Sequence, residues 1–224
     1  MYSIAIDGPS GAGKSTLAKA LAKELSFLYV DTGAIYRTVG FFAKQNGIDP
    51  SDEEKLSERF DDIKINLEWK DGSQHVILCG QDVSELIRTP EMSMYASAVS
   101  ALSKVRAFLL DMQRNFAKEN NVIMDGRDIG TVVLPDADVK IFLVAGSENR
   151  ARRRHKELLE KGQNVSYEEV LSDMIKRDKN DSERQTSPCV AAPDAVLFDN
   201  SALTLEETIN KALEIIHEKI NEIV

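Results

Sequence analysis

Cysteine and histidine are scarce in this chain, basic residues are outnumbered by acidic ones, and aromatic residues make up only 6% of it. The two cysteines, Cys79 and Cys189, form neither a CxxC pair nor a zinc-type spacing. That excludes a disulfide scaffold and a cysteine-based metal centre, and the pair reads as two thiols in a reducing compartment. The three histidines, His75, His155 and His217, fall in no motif. With 28 basic against 37 acidic residues the formal net charge is −9, which argues against a general nucleic-acid partner, since that needs a basic face. A small anionic ligand remains compatible if positive charge is concentrated locally. No apolar run approaches the ~18 residues of a membrane span. The first residues show neither a basic n-region nor a long apolar h-region, so no secretory signal and a cytoplasmic location are expected. Without secretion, the sequon-like Asn164-Val165-Ser166 reads as a chance match.

What is present is an alternation of apolar strands and amphipathic helices over 224 residues, 42% of them hydrophobic. This suits one sizeable α/β domain, with or without an insert. Residues 2–6, 27–31, 121–125, 139–144 and 195–199 read as short buried strands. Leu17, Leu21 and Leu25 recur at helical spacing after Lys14, and residues 33–45 form a second helix that ends at Asn46-Gly47. Residues 90–100, 103–119 and 147–162 read as further helices. Three S/T-x-x-E patterns, at Ser51, Ser166 and Thr204, mark helix starts. The last helix places Ile209, Ala212, Leu213, Ile216 and Ile220 on one face. Residues 63–79 differ: Ile63, Ile65, Leu67 and Trp69 alternate, Asp71-Gly72 signals a turn, and HVILC follows. That predicts an antiparallel hairpin in a small satellite sheet running to about residue 88. Strands alternating with helices predict a parallel central sheet covered on both faces. No repeat, low-complexity tract or long linker interrupts the chain.

Directly behind the first strand stands AIDGPSGAGKST, residues 5–16. It contains Gly8-x-x-x-x-Gly13-Lys14-Ser15, a P-loop. Glycines let backbone N–H groups turn inward and approach an anion closely, and the helix from Lys14 aims its positive end at the same point. Lys14 can reach the β- and γ-phosphates of a nucleotide and Ser15 can bind a magnesium ion. Lys14 is expected to face solvent from the loop. The pattern with a strand before it and a helix after it singles out nucleotide phosphate binding, but P-loops serve switches, motors and kinases alike.

Regulatory GTPases carry D-x-x-G and N/T-K-x-D; no glycine here has Asp three residues before it, and no N/T-K-x-D occurs. No LSGGQ-like stretch marks a transporter-type ATPase. Arginines instead stand at strand-to-helix junctions. Thr32 and the helix start in DTGAIYR (31–37) can hold a second anion, with Arg37 about one turn in. Arg127 and Asp128 in DGRDIG (125–130) leave a strand's carboxyl end, where open α/β sheets bind ligands. Arg150, Arg153 and Arg154 share one side of a basic helix, as do Arg177, Asp181 and Arg184 of the next. Each has a plainer reading. Arg177–Asp181 also fits a surface salt bridge worth a few tenths of a kcal/mol, the 150–154 run also fits a solvated face, and Asp125 also fits a simple strand end. Together with a P-loop, the arginines suggest a clamp on two phosphorylated ligands, since guanidinium contacts phosphate bidentately.

IDGPSGAGKST, DTGAIYR, DGRDIGTVVLPDADVKIFL and RDKNDSER, in this order over residues 3–220, resemble the bacterial cytidylate kinases, which are nucleoside monophosphate kinases. The hairpin at 63–79 fits as well, because these enzymes resemble adenylate kinases with an extra small sheet in the monophosphate-binding region. One departure is Thr32, where many members have Ser; the hydroxyl is kept. The resemblance implies a P-loop kinase fold in a single domain. Its core is about 1–32, 120–146 and 188–224, with a monophosphate-binding region at about 33–119 and a lid at about 147–165. It implies that Thr32, Arg37, Arg127 and Arg184 hold the monophosphate's phosphate. Ser97, Arg106 and Asp128 would read the cytosine edge, and Arg177 and Asp181 would contact the ribose. The loop Gly8, Pro9, Ser10, Gly11, Ala12, Gly13, Lys14, Ser15, Thr16 would bind ATP, with Arg150, Arg153 and Arg154 closing over its phosphates. By helical position alone, Ser97 reads as a surface residue.

The implied reaction is ATP plus CMP, and dCMP, giving ADP and the diphosphate. The attacking oxygen belongs to a phosphomonoester whose second pKa lies near ~6, so no general base is needed. This agrees with histidines that stand in no motif. Lys14, Arg127, Arg153 and Arg184 are the expected catalytic charges. Mg²⁺ is the expected cofactor, at Ser15 and, through water, at Asp125. A monomer with small-molecule partners, and neither nucleic acid nor membrane, is expected. The residues leave open a P-loop kinase for another acceptor (UMP, dTMP or a hydroxylated metabolite) and a nucleotide-binding regulator without transferase activity.

Overall fold

The computed structural model describes residues 1–70, 73–160 and 162–223, without the side chains of Ser73, Glu222 and Ile223. It divides into two compact units, Met1–Tyr29 with Glu119–Val224, and Val30–Lys118. The chain starts with β1 (Ser3–Asp7), α1 (Lys14–Leu25) and β2 (Leu28–Asp31). Next come α2 (Thr32–Gln45), α3 (Glu53–Ser57), β3 (Ile65–Lys70), β4 (Ser73–Leu78), β5 (Gln81–Asp82), α4 (Pro90–Val99) and α5 (Ser103–Glu119). The remainder supplies β6 (Val122–Asp125), β7 (Val139–Val144), α6 (Ser147–Glu160), α7 (Tyr167–Glu183), β8 (Val196–Asp199) and α8 (Leu205–Ile223).

One sheet runs in the order β2-β6-β1-β7-β8. β1 lies in its middle, parallel to both neighbours, with Ile6 opposite Asp125 on one side and Ile141 on the other. Ile4, Ala5 and Ile6 have no exposure at all, as a parallel strand covered on both faces requires. Leu17, Ala18 and Leu21 of α1 and Ala212 and Ile216 of α8 join Ile4 and Ile6 in one core, with Ile209, Leu213 and Ile220 packed at its margin. Because the chain leaves β1 toward β2 on one side and reaches β7 on the other, the carboxyl end of β1 is the crevice where the connections diverge. The glycine-rich loop occupies that end.

A second sheet is antiparallel, in the order β3-β4-β5. Leu67 faces Val76 and Trp69 faces Gln74 across the hairpin; its turn at Asp71-Gly72 lies outside the described residues. A parallel sheet flanked by helices and a separate three-stranded antiparallel sheet are thus both present, as the alternating patterns predict. The helix signals fare unevenly. Ser166 and Glu169 form a reciprocal capping box, and Thr204 and Glu207 do the same. Ser51 does not cap: its hydroxyl donates to Asp49, and Asp52 caps α3 by accepting from Lys55 N. An Asp one residue closer to the first helical turn outcompetes the hydroxyl.

In the Val30–Lys118 unit, α2 packs closely on α4. A Cβ added at Gly40 would lie 2.7 Å from Tyr95 Cβ and 3.2 Å from the Tyr95 carbonyl carbon. Elsewhere in a helix, Gly→Ala gains up to ~1 kcal/mol. Here Gly40→Ala should instead cost about 1–3 kcal/mol by overpacking, read as a lower denaturation midpoint at unchanged slope. An unchanged or raised midpoint would contradict this packing.

Candidate active site

Gly8 follows β1 with φ +141°, and Gly13 precedes α1 with φ +94°. A Cβ at Gly8 would sit 2.2 Å from the Leu143 carbonyl oxygen on β7, so only glycine fits where loop and strand meet. Three loop carbonyls between these glycines are held by side chains. Lys14 Nζ donates to Pro9 O at 2.7 Å, Arg150 Nη1 to Ser10 O at 2.8 Å, and Asn200 Nδ2 to Ala12 O at 3.1 Å. In a planar trans peptide the following N–H points the opposite way. The amides of Ser10, Gly11 and Gly13 therefore point away from these three partners. The first amides of α1 lack intrahelical acceptors by helix geometry, and the ladder begins with Leu17 N donating to Gly13 O. The loop is thus a cradle of backbone donors at a helix N-terminus, an arrangement whose chemistry suits an anion.

Lys14 does not face solvent. It is only 5% exposed, and its ammonium bonds the loop's own backbone. Burial, and next the Arg127 guanidinium, push its ammonium well below the ordinary lysine range. An anion in the cradle reverses that penalty. Ser15 Oγ donates to Asp125 Oδ2 at 2.8 Å, and Tyr29 OH donates to Asp125 Oδ1 at 2.8 Å. Asp125 is thus more than a strand end: it is buried and fixed by two hydroxyls, one of them on the first turn of α1.

Beside Lys14, Arg127 Nε donates to Asp181 Oδ2 at 3.0 Å, and Asp181 is buried. Burial works against the Arg127 charge, but Asp181 and other nearby negative groups outweigh it and hold the guanidinium above its usual value. Asp181 thus pairs with Arg127 of another segment. Arg177 and Arg184 are half-buried, and Arg184 Nε donates to Ser187 O at 2.7 Å. Cys189 lies in the same field, but burial pushes its thiol up to about 11, which keeps it protonated and inert at neutral pH.

The basic helix α6 is not a uniformly solvated face. Arg150 is 4% exposed; besides Ser10 O, it donates to Ala145 O and pairs with Asp178 at 2.6 Å. Arg153 is exposed, and its Nη1 lies 3.9 Å from where a Cβ on Gly13 would sit. Arg154 Nη1 pairs with Glu157 at 3.2 Å. Asp128 is buried just ahead of a π-helical turn, Ile129–Val133, which local sequence patterns do not foretell.

Taken by itself, the Val30–Lys118 unit presents a second set. Thr32 is buried at the start of α2, next to Asp31, whose side chain accepts from Ala34 N and pairs with Arg37 at 3.0 Å. Arg106 on α5 is buried, donates to Ser100 O at 2.9 Å and lies over the Tyr36 ring. Ser97 is half-buried on α4 and not fully on its surface. Asp7, Tyr29 and Asn200, which support the loop or its neighbours, escaped motif reading. The available signal for Asp7 was an acid ending an otherwise apolar strand.

Comparison with known proteins gives one consistent answer. A family model described as Cytidylate kinase matches residues 4–218. A protein of Carboxydothermus hydrogenoformans named Cytidylate kinase is 51% identical over 216 residues, covering 96% of this chain and 97% of that one. A protein of the same name from Caldicellulosiruptor bescii is 49% identical over 98% of both chains. Among solved structures, a gluconokinase from Sinorhizobium meliloti superposes with a TM-score of 0.51 at 15% identity, over 99% of this chain and 95% of that one, a likeness of fold alone.

The cradle's geometry yields a direct check. Gly8→Ala should cost about 3 kcal/mol or more, from strain at positive φ plus the clash with a backbone oxygen. Gly11→Ala should cost less, because its nearest contact is the flexible end of Met174 at 3.3 Å. Equal losses in chemical denaturation would contradict this account of the loop.

Proposed function

The chain belongs to the cytidylate kinase family, and on that premise we propose that it moves the γ-phosphoryl group of ATP to CMP, giving ADP and CDP, with dCMP as a second acceptor. The family match over residues 4–218 carries this reading. It acts as a single nucleoside monophosphate kinase domain, a cytoplasmic monomer. No helix among the described residues is long and apolar enough to cross a membrane.

In this reading a phosphate oxygen of CMP attacks the γ-phosphorus of ATP, and the bond to the β–γ bridging oxygen breaks. The dianionic acceptor needs no base, and the inert thiol of Cys189 offers no competing nucleophile. The chain's task is to hold two mutually repelling anions in line and neutralise them. The cradle amides, Lys14 and Arg153 act on the ATP phosphates. Arg150 acts mainly by holding Ser10 O, and Arg154 closes from α6. Thr32, Arg37, Arg127 and Arg184 take the CMP phosphate, with Arg177 and Asp181 at the ribose. Asp181 also aims Arg127 through their 3.0 Å pair. Ser15 and Asp125 are hard oxygen donors 2.8 Å apart and fit a magnesium ion bound through one carboxylate, a hydroxyl and substrate phosphates. When bound, the ion supplies charge neutralisation at those phosphates.

Ser97, Arg106 and Asp128 read the base. An ionised carboxylate accepts from the cytosine N4 amino group, and a guanidinium donates to N3 or O2. Uracil presents an acceptor O4 to the carboxylate and an N3–H donor where cytosine has an acceptor N3. Each mismatch in a buried polar site costs about 1–3 kcal/mol, so CMP should exceed UMP by at least ~100-fold in kcat/KM. Asp128→Asn should weaken CMP use and narrow that ratio, because an amide can also donate; an unchanged ratio places base reading elsewhere.

A coupled ADP assay over CMP, dCMP, UMP, dTMP and hydroxylated metabolites tests the function directly. CMP should give the highest kcat/KM. ATP binding without CMP-dependent ADP release would indicate a regulator instead. Lys14→Ala should lower transfer by about 10²–10³-fold or more with the far-UV circular dichroism retained. Near-normal turnover would overturn the role of the cradle.

A further inference from the structure

Asp7 is the last residue of β1 and one residue ahead of the cradle, yet its carboxylate points elsewhere. Oδ1 accepts from Ile129 N at 2.8 Å and Oδ2 from Gly130 N at 2.7 Å. These are the first two amides of the π-helical turn Ile129–Val133, donors left over by the geometry of any helix start. Asp128 occupies the cap position of that turn, but its side chain makes no capping bond. Its backbone carbonyl accepts from Val132 and Val133. The cap is supplied from another strand, 122 residues away in sequence.

The fit is close. A Cβ at Gly130 would lie 3.4 Å from Asp7 Oδ2 and 3.2 Å from Lys140 Cδ. Asp7, Ile129 and Gly130 are all buried, so no water substitutes for a lost acceptor. Asp128 and Arg127 leave the backbone immediately before the two capped amides, and a tilt of the turn would displace both side chains.

We propose that Asp7 is a positioning residue for acceptor choice: by capping Ile129 and Gly130 it fixes the backbone from which Arg127 and Asp128 project. This rests on Asp128 reading the base, as argued above. One strand end then carries two duties, with Gly8 opening the donor cradle and Asp7 aligning the acceptor-reading segment. An ionised carboxylate suits the second duty because both oxygens accept. An amide offers one acceptor and presents an NH₂ to the other N–H.

The test measures kcat/KM for CMP and UMP, and the Kd of a non-hydrolysable ATP analogue, for wild type, Asp7→Asn, Asp128→Asn and the double variant. Asp7→Asn should lower the CMP-to-UMP ratio by about tenfold, while the analogue's Kd moves less than about threefold. Because Asp7 acts through Asp128, the double variant should narrow the ratio little more than Asp128→Asn alone. Should Asp7→Asn fail to fold, Gly130→Ala crowds the same carboxylate from the turn side with β1 intact, and should narrow the ratio likewise. A folded Asp7→Asn with an unchanged ratio, or with ATP-analogue affinity lost as much as CMP use, overturns the proposal. Wild-type protein that does not phosphorylate CMP overturns the functional reading instead, and the two failures are distinct.

Discussion

The Gly8–Lys14 backbone has to hold its carbonyls outward, and much of the site's construction follows from that constraint. Peptide planarity links each carbonyl to the amide behind it, so pinning Pro9, Ser10 and Ala12 by their oxygens aims the amides of Ser10, Gly11 and Gly13. The pins come from an adjacent lysine, from α6 and from the residue after β8. Leaving a buried carbonyl such as Ala12 O unpaired costs about 1–3 kcal/mol, enough to make its pin matter to the loop's shape. The positive φ at Gly8 and Gly13 lets the loop turn tightly between β1 and α1.

From that orientation the electrostatics follow. A buried lysine pushed down in pKa beside a guanidinium is an unfavourable arrangement in isolation, and a bound polyphosphate relieves it. Asp181, paired with Arg127, and Asp125, bonded to Ser15 and close to Lys14, temper the positive charge without cancelling it. The same carboxylates fix the directions in which those side chains point. Preorganised charge of this kind is what phosphoryl transfer asks of a protein, since the chemistry needs little covalent help.

Periodicity and short motifs made the architecture legible. Alternating strands and helices, the glycine-rich loop, the hairpin around Leu67 and Val76, and the capping pairs at Ser166 and Thr204 are all local signals, and the structure contains them. Most of the features that stayed hidden depend on contacts distant in sequence. Arg150 reads as a solvated charge until α6 brings it to Ser10, 140 residues away. Lys14 reads as exposed because a loop motif does not reveal what covers it. Ser51 lost its cap to Asp52 through a difference of one residue, finer than pattern reading resolves. The π-helical turn at Ile129 has no periodic signature, and its cap, Asp7, is contributed by a strand. The residues resembling family motifs were legible as candidates from the chain itself. Which of them pair, as Arg127 does with Asp181, was not.

On this reading, backbone amides aimed by pinned carbonyls form the phosphate site. Amide proton and nitrogen shifts of the wild-type protein, titrated with magnesium and β,γ-methylene ATP, test it directly. The amides of Ser10, Gly11, Gly13, Lys14 and Ser15 should move downfield together with the binding isotherm, as N–H groups that gain an anionic acceptor do, and CMP alone should leave them in place. Saturable binding of the analogue with those five amides unmoved would contradict the account.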